Sequence, residues 1–248
     1  MDRKLAAALA VLAIPALAWA DIIHQESFEA APVTGTTYEV VNAFDDGVSD
    51  YVIRQDKTGT LRSQYTTHPS SGSVDGDYYW IMEDTQATPE STADGRVIFT
   101  IVPVDVSAYS NLQVTVALQA IFNDYEVTDG FWVYVKTNGA ASNLVGAVIG
   151  EEPNVTNLSE DSDFSGAGDG VNDTTANFKD FTYAITNAYT PAITSAQVIV
   201  VAKFNSGSEE AAIDNIRILG DGPPPVPEVF NFDLRFNPVI TGTPFDFN

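Results

Sequence analysis

The sequence predicts an all-β fold, an antiparallel β-sandwich of the jelly-roll type. Apolar and polar residues alternate along several short segments, which is the period of a strand with one buried face. Clusters of Gly, Asp and Ser separate these segments, as turns do in a sandwich. No long amphipathic helix is predicted beyond residue 20. Apolar residues make up 44% of the 248, which is enough for one sizeable core.

The chain begins with a segment typical of an export signal. Arg3 and Lys4 precede an apolar run from Leu5 to Leu17, and the small residues of the sequence AWA follow. This order predicts a signal peptide at 1–20 with cleavage after Ala20. The run is too short for a good membrane span. We therefore expect a mature chain that is secreted and extracellular, or held at the cell surface.

Strand-like alternation marks the body of the chain, and the predicted sandwich domain covers 21–219. The clearest strand is LQVTVALQA at 112–120, in which every even-numbered residue is apolar. GFWVYVKT at 130–137 alternates in the same way. Further β-rich runs are RVIFTIV, FKDFTYAI, AQVIVVAKF and AAIDNIRIL.

A proline-rich segment follows the predicted domain. GDGPPPVPE at 220–228 contains three consecutive prolines, which favour an extended, stiff linker. The remaining segment, 229–248, is too short to fold alone. We predict it to be a tail that docks on the sandwich, or the start of a further domain.

The charge balance narrows the choice of partners. The chain has 11 Lys and Arg residues against 34 Asp and Glu residues, a formal net charge of -23. A field of that sign repels phosphate backbones, so nucleic-acid binding by this chain alone is not expected. It suits cation binding or a solvated acidic surface. The sequence contains no cysteine, which excludes disulfides, a thiol nucleophile and thiolate metal sites.

The segment DSDFSGAGD at 161–169, which we call the aspartate loop, has the spacing of a calcium-binding loop. Oxygen-bearing side chains recur along it at positions where such a loop places ligands, and Gly166 allows the sharp turn. Asn172 replaces the bidentate Glu of an EF-hand, and no helices flank the loop. The predictions are bound calcium or a mobile acidic loop. The calcium ligands would be Asp161, Asp163, Ser165 and Asp169.

The two ends of the domain carry a second candidate metal site. HQESFE contains Glu26 and Glu29, and AAIDNIRI contains Asp214. Strict alternation predicts that Asp214 shares a face with Ile216 and Ile218, where a lone charge would be costly. A calcium ion that clamps the first and last strands would satisfy this carboxylate. A local bulge or a salt bridge is the alternative.

Several of these segments carry a resemblance when they are taken in order. They are ESFE, YEVVNAFDDGVSDYVIR, DGDYYWIMEDT, VDVSAYSNLQVTV, EDSDFSGAGDG, FKDFTYAI and SEEAAIDNIRI. Together they resemble a jelly-roll module of exported proteins from marine and environmental bacteria. That module often lies beside extracellular nucleases, lamin-tail domains or surface anchors. The SFE start and the AIDNI end are also similar to MAM-type and carbohydrate-binding jelly rolls.

The resemblance implies a structural cation held by the acidic residues that match, Glu29 and Asp214, with Glu26 nearby. It also implies a calcium role for the aspartate loop, which matches the aspartate–glycine loop of the module. MAM-type disulfides cannot apply because cysteine is absent. The module contributes no catalytic residues.

Aromatic residues offer a candidate sugar site. Trp132 and Tyr134 alternate with three core-like residues of the same run, so we expect both rings to face solvent. A flat exposed ring can stack on the apolar face of a sugar. Trp80 lies within the apolar run of DYYWIMED and is expected to pack in the core.

No enzymatic motif stands out. The sequence has no GxSxG, no HExxH and no cysteine nucleophile. The carboxylate pairs of FDDG and MEDT carry little weight in a chain with 34 acids. We predict a non-catalytic, calcium-stabilised module for extracellular adhesion or polysaccharide recognition. The alternatives are an accessory or spacer domain of a larger exported hydrolase, such as an extracellular nuclease, and a glycoside-active jelly roll.

Overall fold

The computed structural model describes residues 20–33, 35–47, 50–60, 69, 73–86, 95–121, 124–153, 155–186 and 192–223. The predicted signal peptide before Ala20, the predicted linker from 224 onward and the tail at 229–248 lie outside these residues. The part of the chain that the structure describes contains no helix with the length and hydropathy needed to span a membrane.

Every regular element within the described residues is a strand, as the alternation predicted. The last strand runs to Asp221, two residues beyond the predicted end of the domain at Leu219. In chain order the strands are β1 (Asp21–Glu26), β2 (Tyr38–Val41), β3 (Phe44–Asp45), β4 (Tyr51–Asp56), β5 (Tyr78–Glu83), β6 (Val97–Ile101), β7 (Val104–Asp105), β8 (Ser110–Ile121), β9 (Gly130–Thr137), β10 (Ser142–Ile149), β11 (Ser159–Glu160), β12 (Lys179–Ala184), β13 (Ser195–Lys203) and β14 (Glu210–Asp221).

The strands form two antiparallel sheets of seven strands each. Sheet I has the order β12-β8-β14-β5-β4-β3, and β1 also pairs with β14. Sheet II has the order β11-β10-β9-β13-β6-β2, and β7 also pairs with β13. The chain crosses repeatedly from one sheet to the other, so strands distant in sequence become neighbours. The fold is the all-β, jelly-roll-type sandwich that the sequence predicted.

The facing surfaces of the two sheets bury one hydrophobic core. The even-numbered apolar side chains of β8, from Leu112 to Ala120, are all part of it. Trp80 is only 4% exposed, and its ring packs edge-on against Phe99 with 5.7 Å between centroids. The prediction that Trp80 is a core residue is therefore confirmed.

The middle of β14 departs from strict alternation. Its register with β8 shifts just after Asp214, and Asn215 has a φ of 45°. Such a bulge adds one residue and reverses the side-chain alternation beyond it. Ile213 and Ile216 consequently both belong to the core. The expectation that Asp214 shares a face with Ile216 and Ile218 is wrong, because a local bulge follows Asp214.

Sheet I has a second apolar cluster on its outer face. Tyr79, Ile81 and Ala212 pack there with Val74, which comes from the loop before β5. Phe178 covers the same cluster from the segment before β12, and its ring meets Tyr79 edge-on at 5.5 Å. Loops therefore close over the apolar outer face of this sheet.

Candidate functional site

The outer face of sheet II carries aromatic and aliphatic side chains that remain partly exposed. Trp132 of β9 lies opposite Val201 of β13, which lies opposite Ile98 of β6. Two residues further along β9, Tyr134 lies opposite Ile199. All five side chains are partly exposed, and we call them the outer patch. Adjacent apolar and aromatic side chains that stay partly exposed on a sheet surface make it a candidate interaction site.

A groove of about 320 Å³ lies over one part of the outer patch. Trp132 and Tyr134 contribute the aromatic lining. Val127 and Thr128, from the loop before β9, line it as well, and so does Gly166 of the aspartate loop. We call this depression the outer groove. It is formed where two loops border the exposed end of a sheet.

The two rings lie where the sequence placed them. Phe131, Val133 and Val135 are buried, whereas Trp132 and Tyr134 between them are partly exposed on the outer face. Their role as ligand contacts stays a prediction.

The aspartate loop brings its three carboxylates together. One oxygen from each of Asp161, Asp163 and Asp169 lies within 4.8 Å of the other two. Asp161 is 3% exposed, whereas the other two are exposed. The Ser165 amide donates to Asp161 Oδ1 at 3.0 Å and to Asp163 Oδ1 at 2.9 Å. Gly166, with a φ of 91°, donates to Asp161 Oδ2 at 3.0 Å.

Further hydrogen bonds lie within the aspartate loop. The Ser165 hydroxyl donates to the Ala167 carbonyl at 3.3 Å, and Asp169 Oδ2 accepts the amide of Ser162 at 2.8 Å. Hydrogen bonds from Ser165 lower the pKa of Asp163 below its usual range, so this carboxylate stays ionised. Carboxylates, a hydroxyl and nearby carbonyls are the hard oxygen ligands that calcium prefers. The donor set fits calcium.

Backbone hydrogen bonds hold the aspartate loop against the sheet. The Asp161 amide donates to the Ala147 carbonyl of β10 at 3.0 Å. Gly168 donates to the carbonyl of Gly150 at 3.0 Å, and Gly150 in turn donates to the carbonyl of Asp129 at 3.2 Å. The two loops that line the outer groove are thus connected through Gly150.

The acidic side chains at the two ends of the domain accept hydrogen bonds from the backbone. Glu26 Oε1 accepts the Phe28 amide at 2.8 Å. Glu29 Oε1 accepts the amides of Asp77 at 2.7 Å and Tyr78 at 2.9 Å. These carboxylates hold backbone segments, and Glu29 fixes the loop that precedes β5.

Asp214, which lies in the last strand of the domain, holds the same loop. It is fully buried, and its oxygens accept the amides of Asp75 at 2.8 Å and Asn215 at 2.7 Å. Burial raises the pKa of Asp214 to about 7, although the two amides oppose the shift. Among the described residues, Glu26, Glu29 and Asp214 do not form a group with oxygens mutually within 4.8 Å.

The structure also brings together three acids that the sequence did not single out, Glu126, Asp129 and Glu209. Burial is the main cause that raises the pKa of Asp129 to about 7 and that of Glu209 to about 8. Two loops far apart in sequence supply these residues, so no local spacing reveals them. The only local signal is an acid just before each of two strands.

No family model and no curated protein matches the sequence. Among solved structures, the carbohydrate-binding module TmCBM61 in complex with β-1,4-galactotriose is similar over 75% of this chain and 90% of its own, with 13% identity and a TM-score of 0.37. The K1 cleaved adhesin domain of Lys-gingipain from Porphyromonas gingivalis W83 is similar over 80% of this chain and 98% of its own, with 14% identity and a TM-score of 0.39.

A cyclase from Fischerella sp. TAU in complex with 4-(1H-indol-3-yl)butan-2-one is similar over 75% of this chain and 86% of its own, with 12% identity and a TM-score of 0.40. These likenesses concern the β-sandwich architecture alone. A shared architecture does not determine a function, which depends on the residues of each site.

Proposed function

We propose that this chain is a secreted, non-catalytic module that binds extracellular polysaccharide in the outer groove, with calcium bound by the aspartate loop. The observation that carries the proposal is the pair of partly exposed rings, Trp132 and Tyr134, in a groove of about 320 Å³. A ring held on a strand covers the apolar face of a sugar at little cost in conformational entropy.

The other lining residues support a sugar ligand. Val201 extends the apolar surface beside the rings, and the Thr128 hydroxyl offers a hydrogen-bonding group. A few polar groups around an apolar floor are typical of small-ligand and sugar sites. No carboxylate is among the described residues that line the groove. A glycosidase would need a pair of them there, so the lining supports binding over hydrolysis.

Two basic side chains at the groove indicate which sugars it could bind. Arg96 and Lys203 both line it, although the whole chain has only 11 basic residues and a net charge of -23. Their guanidinium and ammonium groups can donate hydrogen bonds to hydroxyls or to sugar carboxylates. We therefore infer a neutral or acidic polysaccharide as the ligand class.

Calcium in the aspartate loop would support the groove from one side. A cation would neutralise three carboxylates that otherwise repel one another within 4.8 Å. Because Gly166 of the same loop lines the groove, a loop fixed by calcium would also fix that part of the wall. We retain calcium at Glu26, Glu29 and Asp214 as a prediction, in which the ion would replace hydrogen bonds that these side chains now accept from backbone amides.

One observation favours a second candidate function. The proline-rich segment after the sandwich, 220–228, is typical of a stiff linker between domains. The chain would then be the accessory or spacer domain of a larger exported hydrolase. Glycan binding by the protein separates a binding module from a passive spacer, because a passive spacer has no need of it.

The proposal is tested by retention on immobilised neutral and acidic polysaccharides. We expect the purified protein to be retained on at least one of them, and Tyr134→Ala to weaken that retention. Tyr78→Ala is the matched control, because Tyr78 is also a partly exposed tyrosine in a strand and does not line the outer groove. Retention that both variants lose equally, or neither loses, would contradict a sugar site at Tyr134.

A further inference from the structure

Three acidic side chains from two distant loops meet beside the outer groove. Glu126 and Asp129 lie in the loop before β9, and Glu209 lies immediately before β14. One carboxylate oxygen of each lies within 4.8 Å of the other two. Asp129 and Glu209 are fully buried, and Glu126 is partly exposed. We call this group the Glu209 cluster.

The hydrogen bonds of Glu209 leave one of its oxygens without a partner. Oε2 accepts the backbone amides of Asn205 at 2.6 Å and Ser206 at 3.0 Å. Oε1 is buried and has no hydrogen-bond partner. A buried carboxylate oxygen is normally hydrogen-bonded or bound to a metal. The orphaned oxygen therefore indicates that a ligand belongs in the cluster.

The side chain of Asn205 is the main neutral donor in the cluster. Its amide nitrogen donates to Asp129 Oδ1 at 2.9 Å and to Glu126 Oε2 at 3.1 Å. An amide carries no net charge, so these two bonds do not neutralise the carboxylates when they are ionised. Lys203 attracts Asp129, which offsets one negative charge.

We propose that Glu126, Asp129 and Glu209 bind a divalent cation of the calcium type, at a site separate from the aspartate loop. All of the ligands are hard oxygens from three carboxylates, and the cluster contains no histidine, which disfavours zinc. Two ligands that each lie about 2.4 Å from one ion are at most about 4.8 Å apart. The separations in the cluster satisfy that limit.

The site has a structural consequence for the outer groove, and this part rests on the proposed function. Val127 and Thr128, between the two ligands of the first loop, line the groove. The Asp129 carbonyl is also joined through Gly150 to Gly168 of the aspartate loop. A cation in the Glu209 cluster would therefore fix the loop that forms one part of the groove lining.

The test is the number of Ca²⁺ ions bound per chain, measured by equilibrium dialysis on protein that has first been stripped with a chelator. We expect Glu209→Gln and Glu126→Gln each to bind one Ca²⁺ fewer than the wild type. Glu152→Gln, the same change at an exposed position, should keep the wild-type number. Asp163→Asn should leave the Glu209 cluster occupied, so that combining it with Glu209→Gln removes more calcium than either change alone.

The proposal is overturned when both cluster variants bind as much Ca²⁺ as Glu152→Gln, or when the wild type binds none. Should Glu209→Gln not fold, Glu126→Gln decides, because Glu126 is partly exposed and glutamine keeps an acceptor for Asn205. The calcium count does not depend on glycan retention, so the failure of this site and the failure of the proposed function are distinguishable.

Discussion

The outer face of sheet I is covered by loops, whereas that of sheet II is partly open to solvent. On sheet I, Tyr79 and Ile81 are fully buried on the outer side, because Val74 and Phe178 close over them. On sheet II, Trp132 and Tyr134 occupy comparable outward positions and stay partly exposed. Exposed apolar area is unfavourable in water, so the uncovered face of sheet II is the better candidate for an interaction surface.

The acidic residues follow the same division. Glu29 and Asp214 accept backbone amides of the loop that covers sheet I, and they therefore stabilise the closed face. The aspartate loop and the Glu209 cluster border the open face, where Gly166 and Thr128 line the outer groove. Acids at both faces accept backbone amides, but among the described residues only those bordering the open face bring three carboxylate oxygens within 4.8 Å of one another.

The largest expected effect comes from a core tryptophan. Trp80→Ala should lower the free energy of unfolding by about 3–5 kcal/mol, because it leaves a cavity against Phe99. Urea denaturation of the variant and the wild type measures this loss. A loss below about 1 kcal/mol would mean that the core does not depend on this ring as its burial implies.

Calcium should have the next largest effect. A cation bound only by the folded state stabilises it by about 2.7 kcal/mol at a hundredfold excess over its dissociation constant. Thermal melts in excess CaCl₂ and in excess chelator measure this difference. Identical melting temperatures would contradict calcium binding at the aspartate loop and at the other acidic sites alike.

The loop that covers sheet I offers a comparison between two aspartates. Asp214→Ala should cost about 1–3 kcal/mol, because the Asp75 amide loses its acceptor and the covering loop is released. Asp163→Ala should cost less in metal-free protein, since Asp163 is exposed and its loop can open without unfolding the core. An equal or larger loss in Asp163→Ala would reverse this ranking.

Asp214 shows which parts of the fold could be predicted from the sequence and which could not. Alternation located the strands correctly because each buried face repeats every second residue, as in β8 and β9. It misplaced Asp214 because one extra residue at Asn215 reverses the pattern. Asparagine tolerates a positive φ better than most residues. That preference alone does not distinguish a bulge from an ordinary strand position.

Of the two candidate cation sites that border the outer groove, one could be predicted from the sequence and the other could not. The aspartate loop is contained in one short segment, so its ligand spacing was visible in the sequence. The Glu209 cluster joins residues about 80 positions apart, and the pairing of β13 with β9, in which Lys203 lies opposite Gly130, helps to bring the two loops together. Whether loops cover a sheet face is likewise a tertiary property, so the difference between the two outer faces was not predictable.

Stability without metal should fall as the pH rises. Burial raises the pKa of Glu83 from 4.5 to about 7. The folded state thus holds this proton more tightly than the unfolded state, and the stabilisation is complete below pH 4.5 and lost as the pH rises through about 7. One such group changes the free energy of unfolding by at most about 1.4 kcal/mol per pH unit.

Denaturant melts from pH 4.5 to 8 in the presence of a chelator measure this slope, with Glu83→Gln as the matched variant. Glutamine cannot ionise, so the variant should have a shallower slope than the wild type. Equal slopes in the two proteins would show that Glu83 does not contribute.

Of these changes, Trp132→Ala should have the smallest effect on stability and the largest effect on polysaccharide binding. Trp132→Ala should lower the free energy of unfolding by about 1 kcal/mol, less than Trp80→Ala, because Trp132 is only partly buried. Its retention on the polysaccharide that holds the wild type should be lost, because the ring supplies the main stacking surface. Trp132→Phe keeps an aromatic ring and should retain part of the binding.

The most direct measurement of the central claim is therefore retention of the wild type and Trp132→Ala on the same polysaccharide matrix, each with its unfolding curve. We predict that the wild type is retained, and that the variant passes through although its unfolding curve shows that it is still cooperatively folded. A wild type that no polysaccharide retains, or a folded Trp132→Ala that binds as well as the wild type, would contradict the assignment of the outer groove as a sugar site.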